Sequence, residues 1–147
     1  MKYLYLCIGI FFVTSCTTYS EENLSAFDTK IKNYLDDKNI DCKRSESGLY
    51  YNITDPGEGS KIQYTSIVSF TYSGSLLSGE IFDAQKEPVE FEVKELIGAW
   101  KEIMLELKNG GKAFLIAPPN LGYGTHDLDD IPANSILVFE LEIIDVK

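Results

Sequence analysis

The chain has 147 residues, 44% of them hydrophobic, and a formal net charge of −10. This length predicts one domain with short additional segments, and the hydrophobic fraction is sufficient for an ordinary core. The acidic excess disfavours a nucleic-acid partner, which requires a basic surface, and it disfavours electrostatic binding to anionic lipid headgroups.

The N-terminus is typical of a secretory signal, because Lys2 is followed by an apolar run that ends at Val13 and is too short to span a membrane comfortably. Val13-Thr-Ser-Cys16 resembles a bacterial lipobox, in which cleavage before Cys16 leaves that cysteine to carry lipid. We therefore expect a lipoprotein signal peptide over 1–15 and a lipidated cysteine with a polar tether over 16–22. The predicted location is the cell envelope, lipid-anchored on a periplasmic face or the cell surface. An ordinary signal peptide or an uncleaved anchor is the alternative.

The remaining cysteine chemistry is sparse. Cys7 would leave with the signal peptide, so that Cys42 would remain as a single thiol without a disulfide partner or a metal-binding spacing. The chain contains one histidine, no Gly-rich phosphate-binding loop and no His-Glu-x-x-His motif, so no metal or cofactor is expected.

Apolar residues then recur at helical spacing, at Leu24, Phe27, Ile31, Tyr34 and Leu35. This spacing predicts an amphipathic helix that runs to about Lys38 and stops at Asn39. We assign residues 23–46 to an N-terminal helical extension. Its apolar stripe predicts a packing face against the rest of the chain or another chain, which leaves the oligomeric state open.

From Ser47 onward the pattern changes to the period of two that predicts β-strands. The predicted strands are Leu49 to Thr54, Ile67 to Ser73, Ile81-Phe82, Glu90 to Val93, Lys112 to Ala117 and Leu137 to Ile143. Between them, apolar residues from Leu96 to Leu107 fit one helical face that ends at the glycine pair Gly110-Gly111. Residues 47–147 are therefore expected to form an α+β domain, an antiparallel sheet carrying one helix.

Six short phrases in this domain carry further information. They are Tyr72-Ser-Gly74, Ile81-Phe-Asp83, Leu96-Ile-Gly-Ala-Trp100, Ala117-Pro-Pro-Asn-Leu-Gly-Tyr-Gly124, Ile131-Pro-Ala-Asn134 and Leu137-Val-Phe139. In their order and spacing they resemble the FKBP family of peptidyl-prolyl cis-trans isomerases, over about Leu49 to Val146. The resemblance implies a bent antiparallel sheet wrapped around one short helix, and a site that needs no nucleophile, metal or cofactor.

The resemblance also implies roles for individual residues. Trp100 would form the floor beneath a proline ring, and the walls would be Tyr72, Phe82, Leu96, Ile97 and Phe139. The backbone N–H of Ile97 and the hydroxyl of Tyr123 would bind substrate carbonyls, and Asp83 would orient Tyr72. Ile131 would cap the site, while Phe91 and His126 stand where some relatives have further substrate-contacting side chains.

Periodicity alone leaves simpler interpretations open. Phe82, Leu96, Trp100 and Phe139 fit plain core packing equally well, and Asp83 could simply begin a turn. The chain also departs from the family at Gly98-Ala99, where relatives commonly have Pro-Gly. Loss of the proline removes a preset φ at the helix start, and Ala99 would disfavour a positive φ there.

The function expected from the resemblance is peptidyl-prolyl isomerisation during the folding of exported proteins, with Pro-containing polypeptides as substrates and macrolides as inhibitors. The alternative is a non-catalytic lipoprotein that holds apolar or Pro-containing segments as a chaperone or an assembly accessory of a secretion or motility apparatus.

Overall fold

The computed structural model describes residues 19–147. The expected signal peptide and lipidated Cys16 lie outside this range. Within it, no helix is both long and apolar enough to cross a bilayer.

The described residues form two α-helices and eight β-strands. The helices are α1, Glu21–Lys38, and α2, Gly98–Met104; the strands are β1, Lys43–Arg44, β2, Tyr50–Asp55, β3, Glu58–Lys61, β4, Ile67–Leu76, β5, Ile81–Glu92, β6, Lys108–Asn109, β7, Lys112–Ala117, and β8, Leu137–Val146. Six strands form an antiparallel sheet in the order β1-β2-β7-β8-β4-β5, and β3 pairs with β6. This architecture confirms the expected α+β class.

The inner face of the sheet carries the main core and packs against α2. Alternation along β8 places Leu137, Phe139 and Leu141 on this face, where they are almost fully buried together with Trp100 and Ile103 of α2. Because side chains alternate across a strand, the residues between them point to the other side of the sheet. The helix is therefore held at the centre of the domain by the sheet's apolar face.

Helix α1 covers part of the outer face. Its buried residues Phe27, Ile31 and Leu35 pack in a second cluster with Ile116 of β7 and Val138 of β8. A capping box between Ser20 and Asn23 begins the helix, and Asn39 ends it at φ 54°. The predicted stop at Asn39 is confirmed, and the stripe packs against its own domain.

A single carboxylate fastens α1 to the strands beneath it. Asp28 accepts hydrogen bonds from Arg44 Nε and from the Tyr50 hydroxyl, both at 2.7 Å, and pairs with Lys32 at 2.7 Å. Burial acts to raise the pKa of Asp28, but the hydrogen bonds from Lys32, Tyr50 and Arg44 outweigh it and lower the pKa to about 2. The charged form is therefore the stabilised one.

Three sequence expectations need correction. The two strands expected at Ile81-Phe82 and Glu90 to Val93 are one strand, β5, whose register against β4 shifts between Phe70 and Tyr72. The expected helix to Leu107 ends at Met104, and Gly110-Gly111 belong to the turn between β6 and β7. Ala99 lies in α2 without a positive φ, so that the expected strain is absent.

Candidate active site

Trp100 lies at the centre of a group of aromatic rings. Its ring meets three others edge-on, with centroid distances of 4.8 Å to Tyr72, 5.1 Å to Phe139 and 5.3 Å to Phe70. The indole is 8% exposed, and within the described chain its Nε1 has no hydrogen-bond partner. Edge-to-face contacts of this kind fix the orientation of the indole. We call the group formed by Trp100 with Tyr72, Phe82, Ile97 and Phe139 beside it the aromatic cleft.

Tyr72 and Asp83 form the polar part of the rim. They project from the neighbouring strands β4 and β5, and the Tyr72 hydroxyl donates a hydrogen bond to Asp83 Oδ2. Burial raises the pKa of Tyr72, and this hydrogen bond and the charges of Asp83 and Tyr123 raise it further. Tyr72 therefore stays a protonated donor, and Asp83 fixes its ring.

Two phenylalanines of the cleft meet next to a glycine. Phe82 and Phe139 pack at 5.8 Å with an interplanar angle of 87°. A Cβ on Gly74 would lie 2.7 Å from Phe139 Cε1 and 2.7 Å from Phe82 Cζ. Glycine at this position in β4 is thus what allows the two rings to approach each other.

The start of α2 supplies a backbone donor. Ile97 is the N-cap residue, with φ −64° and ψ 158°, and its carbonyl accepts from Trp100 and Lys101. Among the hydrogen bonds of residues 19–147, the Ile97 N–H donates none, as expected for the unpaired donors at a helix start. Ile97 is half-buried against the core, and Leu96 before it is buried.

The loop between β7 and β8 completes the site. Tyr123 is 37% exposed, and its pKa is raised by burial and then by the charge of Asp83, so that its hydroxyl remains a donor. Ile131 is buried in the same core as Trp100. His126 is exposed, and its Nδ1 lies 2.8 Å from the Tyr123 carbonyl oxygen.

The structure therefore gathers most of the residues expected from the sequence. Phe91 lies at the margin, since it is 45% exposed and its ring approaches Phe70 at 6.2 Å. His126 lines a groove with Tyr123, outside the aromatic cleft. Two residues that support the cleft, Phe70 packed against Trp100 and Gly74 beside Phe82 and Phe139, were not among those expected. The signals for them were the alternation of Phe70 with Tyr72 and a glycine inside a strand pattern.

The arrangement binds rather than attacks. It offers apolar rings, two neutral donors in the Ile97 N–H and the Tyr123 hydroxyl, and one carboxylate that is already engaged by Tyr72. No group of three or more potential metal ligands occurs within residues 19–147. Cys42 is half-buried on the α1 side, where burial and then the charge of Asp41 raise its pKa to about 11 and keep it a thiol at neutral pH. The chemistry that this cleft can perform is therefore desolvation and orientation of an apolar ring with nearby carbonyls.

Comparison with known proteins gives the same class. A family model described as FKBP-type peptidyl-prolyl cis-trans isomerase matches residues 58–144. The isomerase FkpA of Buchnera aphidicola subsp. Schizaphis graminum is 38% identical over 131 residues, covering 86% of this chain and 51% of the relative. FkpA of Escherichia coli K12 is 34% identical over 139 residues, covering 91% of this chain and 52% of the relative.

Solved structures agree. The crystal structure of FkpA from E. coli superposes with a TM-score of 0.74 at 34% identity, over 86% of this chain and 62% of that one. A peptidyl-prolyl cis-trans isomerase from Pseudomonas syringae gives 0.71 at 27% identity, over 84% and 95%. The fold and the aromatic cleft define a prolyl-isomerase-type domain. The chain belongs to the FKBP-type peptidyl-prolyl cis-trans isomerase family, and it spans about half the length of the curated relatives it matches.

Proposed function

We propose that this chain catalyses cis–trans isomerisation of X–Pro bonds in polypeptides. The observation that carries the proposal is the group of aromatic rings packed edge-to-face around Trp100, together with the hydrogen-bonded pair Tyr72 and Asp83. A proline ring laid on the indole would leave water, while its flanking carbonyls would face the donors. Family membership supports the same reaction.

The proposed catalysis acts on amide resonance. Rotation about the bond has a barrier of about 18–20 kcal/mol because the planar amide is stabilised by charge separation between oxygen and nitrogen. A twisted amide has less charge separation and is less dependent on water than the planar forms. A cleft that removes water and holds the twisted geometry better than either planar isomer lowers the barrier.

The polar groups are assigned to holding the peptide. The Ile97 N–H and the Tyr123 hydroxyl are assigned to donating hydrogen bonds to the carbonyls that flank the proline, which would limit the orientations that the peptide can adopt. Asp83 is assigned to positioning Tyr72 through their hydrogen bond. Leu96 and Ile131 are assigned to closing the apolar wall, with Phe91 and His126 as outer contacts.

A protease-coupled assay on a proline-containing peptide tests the activity. We expect acceleration of cis-to-trans conversion by the parent protein, competition by a macrolide inhibitor, and strong losses in Trp100→Leu and Asp83→Ala. Asp83 is exposed, so its removal should leave thermal unfolding unchanged. Binding of the peptide without acceleration would favour the alternative, a non-catalytic holding protein, and equal losses of stability and activity would favour plain core packing.

We further propose that the protein works in the cell envelope on exported polypeptides, attached through lipid on Cys16 after removal of residues 1–15. The sequence Val13-Thr-Ser-Cys16 after an apolar run supports this location. On the proposed division, residues 16–22 form the tether, 23–46 the helical extension and 47–147 the isomerase domain, although α1 itself begins at Glu21 and so includes the last two residues of the tether. Labelling with a palmitate analogue should mark the parent but not Cys16→Ala, and equal labelling of both would exclude this anchor.

A further inference from the structure

A depression outside the aromatic cleft is lined in part by Tyr123. It has a volume of about 540 Å³ and lies between the N-terminal end of α1 and the loop after β7. Tyr19 and Leu24 form one wall, and Pro119, Tyr123, Thr125 and His126 belong to the other. We call it the loop groove.

The two walls of the loop groove are fastened to each other. The Tyr19 hydroxyl donates to Asn134 Oδ1 at 2.7 Å, and the Asn134 N–H donates to the Gly124 carbonyl at 2.8 Å. Tyr19 is buried and packs edge-on against Phe27 at 5.4 Å. The groove is therefore a formed feature of the fold, built partly from the extension that precedes the isomerase domain.

The loop that lines the groove also packs against the start of α2, which belongs to the site. Tyr123 lines the groove, and Leu121, two residues earlier in the same loop, lies 3.4 Å from where a Cβ on Gly98 would be. Leu24, although part of the apolar stripe of α1, is 37% exposed here instead of packing in the core. A polypeptide that leaves the cleft past Tyr123 would enter the groove next.

The two segments that form the groove contain acidic residues but neither lysine nor arginine. The chain contains no Lys or Arg from Tyr19 to Thr29 or from Ala113 to Val146, the two segments that supply the walls. Both segments instead carry carboxylates close in sequence to the wall residues: Glu21 and Glu22 on α1, and Asp127 in the loop. Phenol rings beside carboxylates favour cationic side chains through charge and through cation–π contact.

We propose that the loop groove is a substrate subsite that binds the segment flanking the reactive proline and prefers flanks carrying Lys or Arg. This inference rests on the proposed function, because the flank is defined by a proline in the aromatic cleft. It assigns to α1 a part in substrate selection.

The test compares three peptides that share one proline core. One is the core alone, and the others add about four residues, which extend to roughly 14 Å, bearing either Lys or Glu. Extensions are placed on each end in turn, and affinity is measured by fluorescence of Trp100, the single tryptophan of the chain. The key variant is Leu24→Lys. Its control is Ser25→Lys, which adds the same charge one residue further along an exposed part of α1 that does not line the groove.

We expect the parent to bind the Lys-flanked peptide roughly two- to fivefold more tightly than the Glu-flanked one, in at least one of the two placements. Leu24→Lys should abolish this preference, Ser25→Lys should keep most of it, and neither should change affinity for the core peptide. Absence of the preference in the parent, or equal losses in the two variants, would overturn the inference. A Leu24-dependent preference in a protein that fails to accelerate isomerisation would uphold the subsite and reject only the proposed catalysis.

Discussion

Replacement of Gly74 by alanine tests how closely Phe82 and Phe139 must pack in the aromatic cleft. The backbone at Gly74 has no positive φ, so the added methyl group is the main change. That methyl would lie 2.7 Å from both Phe82 and Phe139, whereas carbon atoms pack best at about 3.5–4.0 Å. One ring must retreat by about 1 Å.

The structure indicates which ring moves. Phe139 is almost fully buried and packed against Trp100, while Phe82 is half-buried near the rim and can shift outward. Overpacking of this kind costs about 1–3 kcal/mol of stability, which a domain of ordinary stability survives. Misplacement of a binding wall by about 1 Å can lower catalysis by up to about a hundredfold. We therefore expect Gly74→Ala to remain folded and to lose roughly ten- to a hundredfold in kcat/KM.

The protease-coupled assay and thermal unfolding, measured on the same samples, check this expectation. Gly98→Ala is the control, because it makes the same substitution next to Ile97 but its new methyl would meet Leu121 at 3.4 Å, an ordinary contact. Full activity in Gly74→Ala, or a loss shared equally by Gly98→Ala, would refute the role of the glycine in setting the cleft.

Three further predictions concern the rest of the domain. Gly98→Pro should raise the free energy of unfolding by about 0.4–1 kcal/mol, measured by denaturant titration, and should retain activity. Gly98 is the first residue of α2, and Ile97 already has the extended conformation that precedes proline. Destabilisation would contradict this prediction. Because the pKa values of Tyr72 and Tyr123 are raised, kcat/KM measured by exchange NMR should not fall as pH approaches the ordinary tyrosine value of about 10, and a decline there would show that one of them ionises. Asp28→Asn should lower the free energy of unfolding at pH 7 by about 2 kcal/mol. Because the pKa of Asp28 in the folded protein, about 2, lies below its ordinary value, the difference in stability between parent and variant should shrink as pH falls from about 4 towards 2. A difference that persists at pH 2 would exclude this linkage.

Alternation of apolar residues predicted the long strands well, because β4, β7 and β8 have one face in the core and register is strongly constrained there. It missed the middle of β5, where Lys86, Glu87 and Pro88 are exposed at a register shift and carry no apolar signal. The pairing of β3 with β6 was also missed, since it joins short polar segments whose contact depends on the rest of the fold.

The docking of α1 illustrates a signal that was present but ambiguous. Ala113 to Ala117 and Leu137 to Phe139 are continuous apolar runs, which indicate strands buried on both faces. In the structure the outer residues of those runs, Ile116 and Val138, are the ones that α1 covers. The apolar stripe of α1 could pack against several surfaces, and the apolar runs of β7 and β8 could be covered by several elements. Only the structure shows that they pack against each other.

Most residues of the aromatic cleft were expected from the sequence motifs that resemble the family. The residues that pack against them were not expected. Phe70 has the same periodicity as any core residue, and only the structure shows its ring edge against Trp100. The sequence could not predict the loop groove for a different reason. Tyr19 and Tyr123 are far apart in the chain, and the residues next to each of them form no recognisable motif for a groove. Sequence patterns report local environment, whereas a cavity is defined by what meets across it.

The carboxylate of Asp28 on α1 binds both Arg44 of β1 and Tyr50 of β2, so we expect the three elements to open together. A terminal helix normally frays, and its amide hydrogens exchange with solvent long before those of a central strand. Here α1 is expected to exchange together with β2, as one cooperative unit, so that the sheet and the helix that shapes the loop groove are lost in the same event.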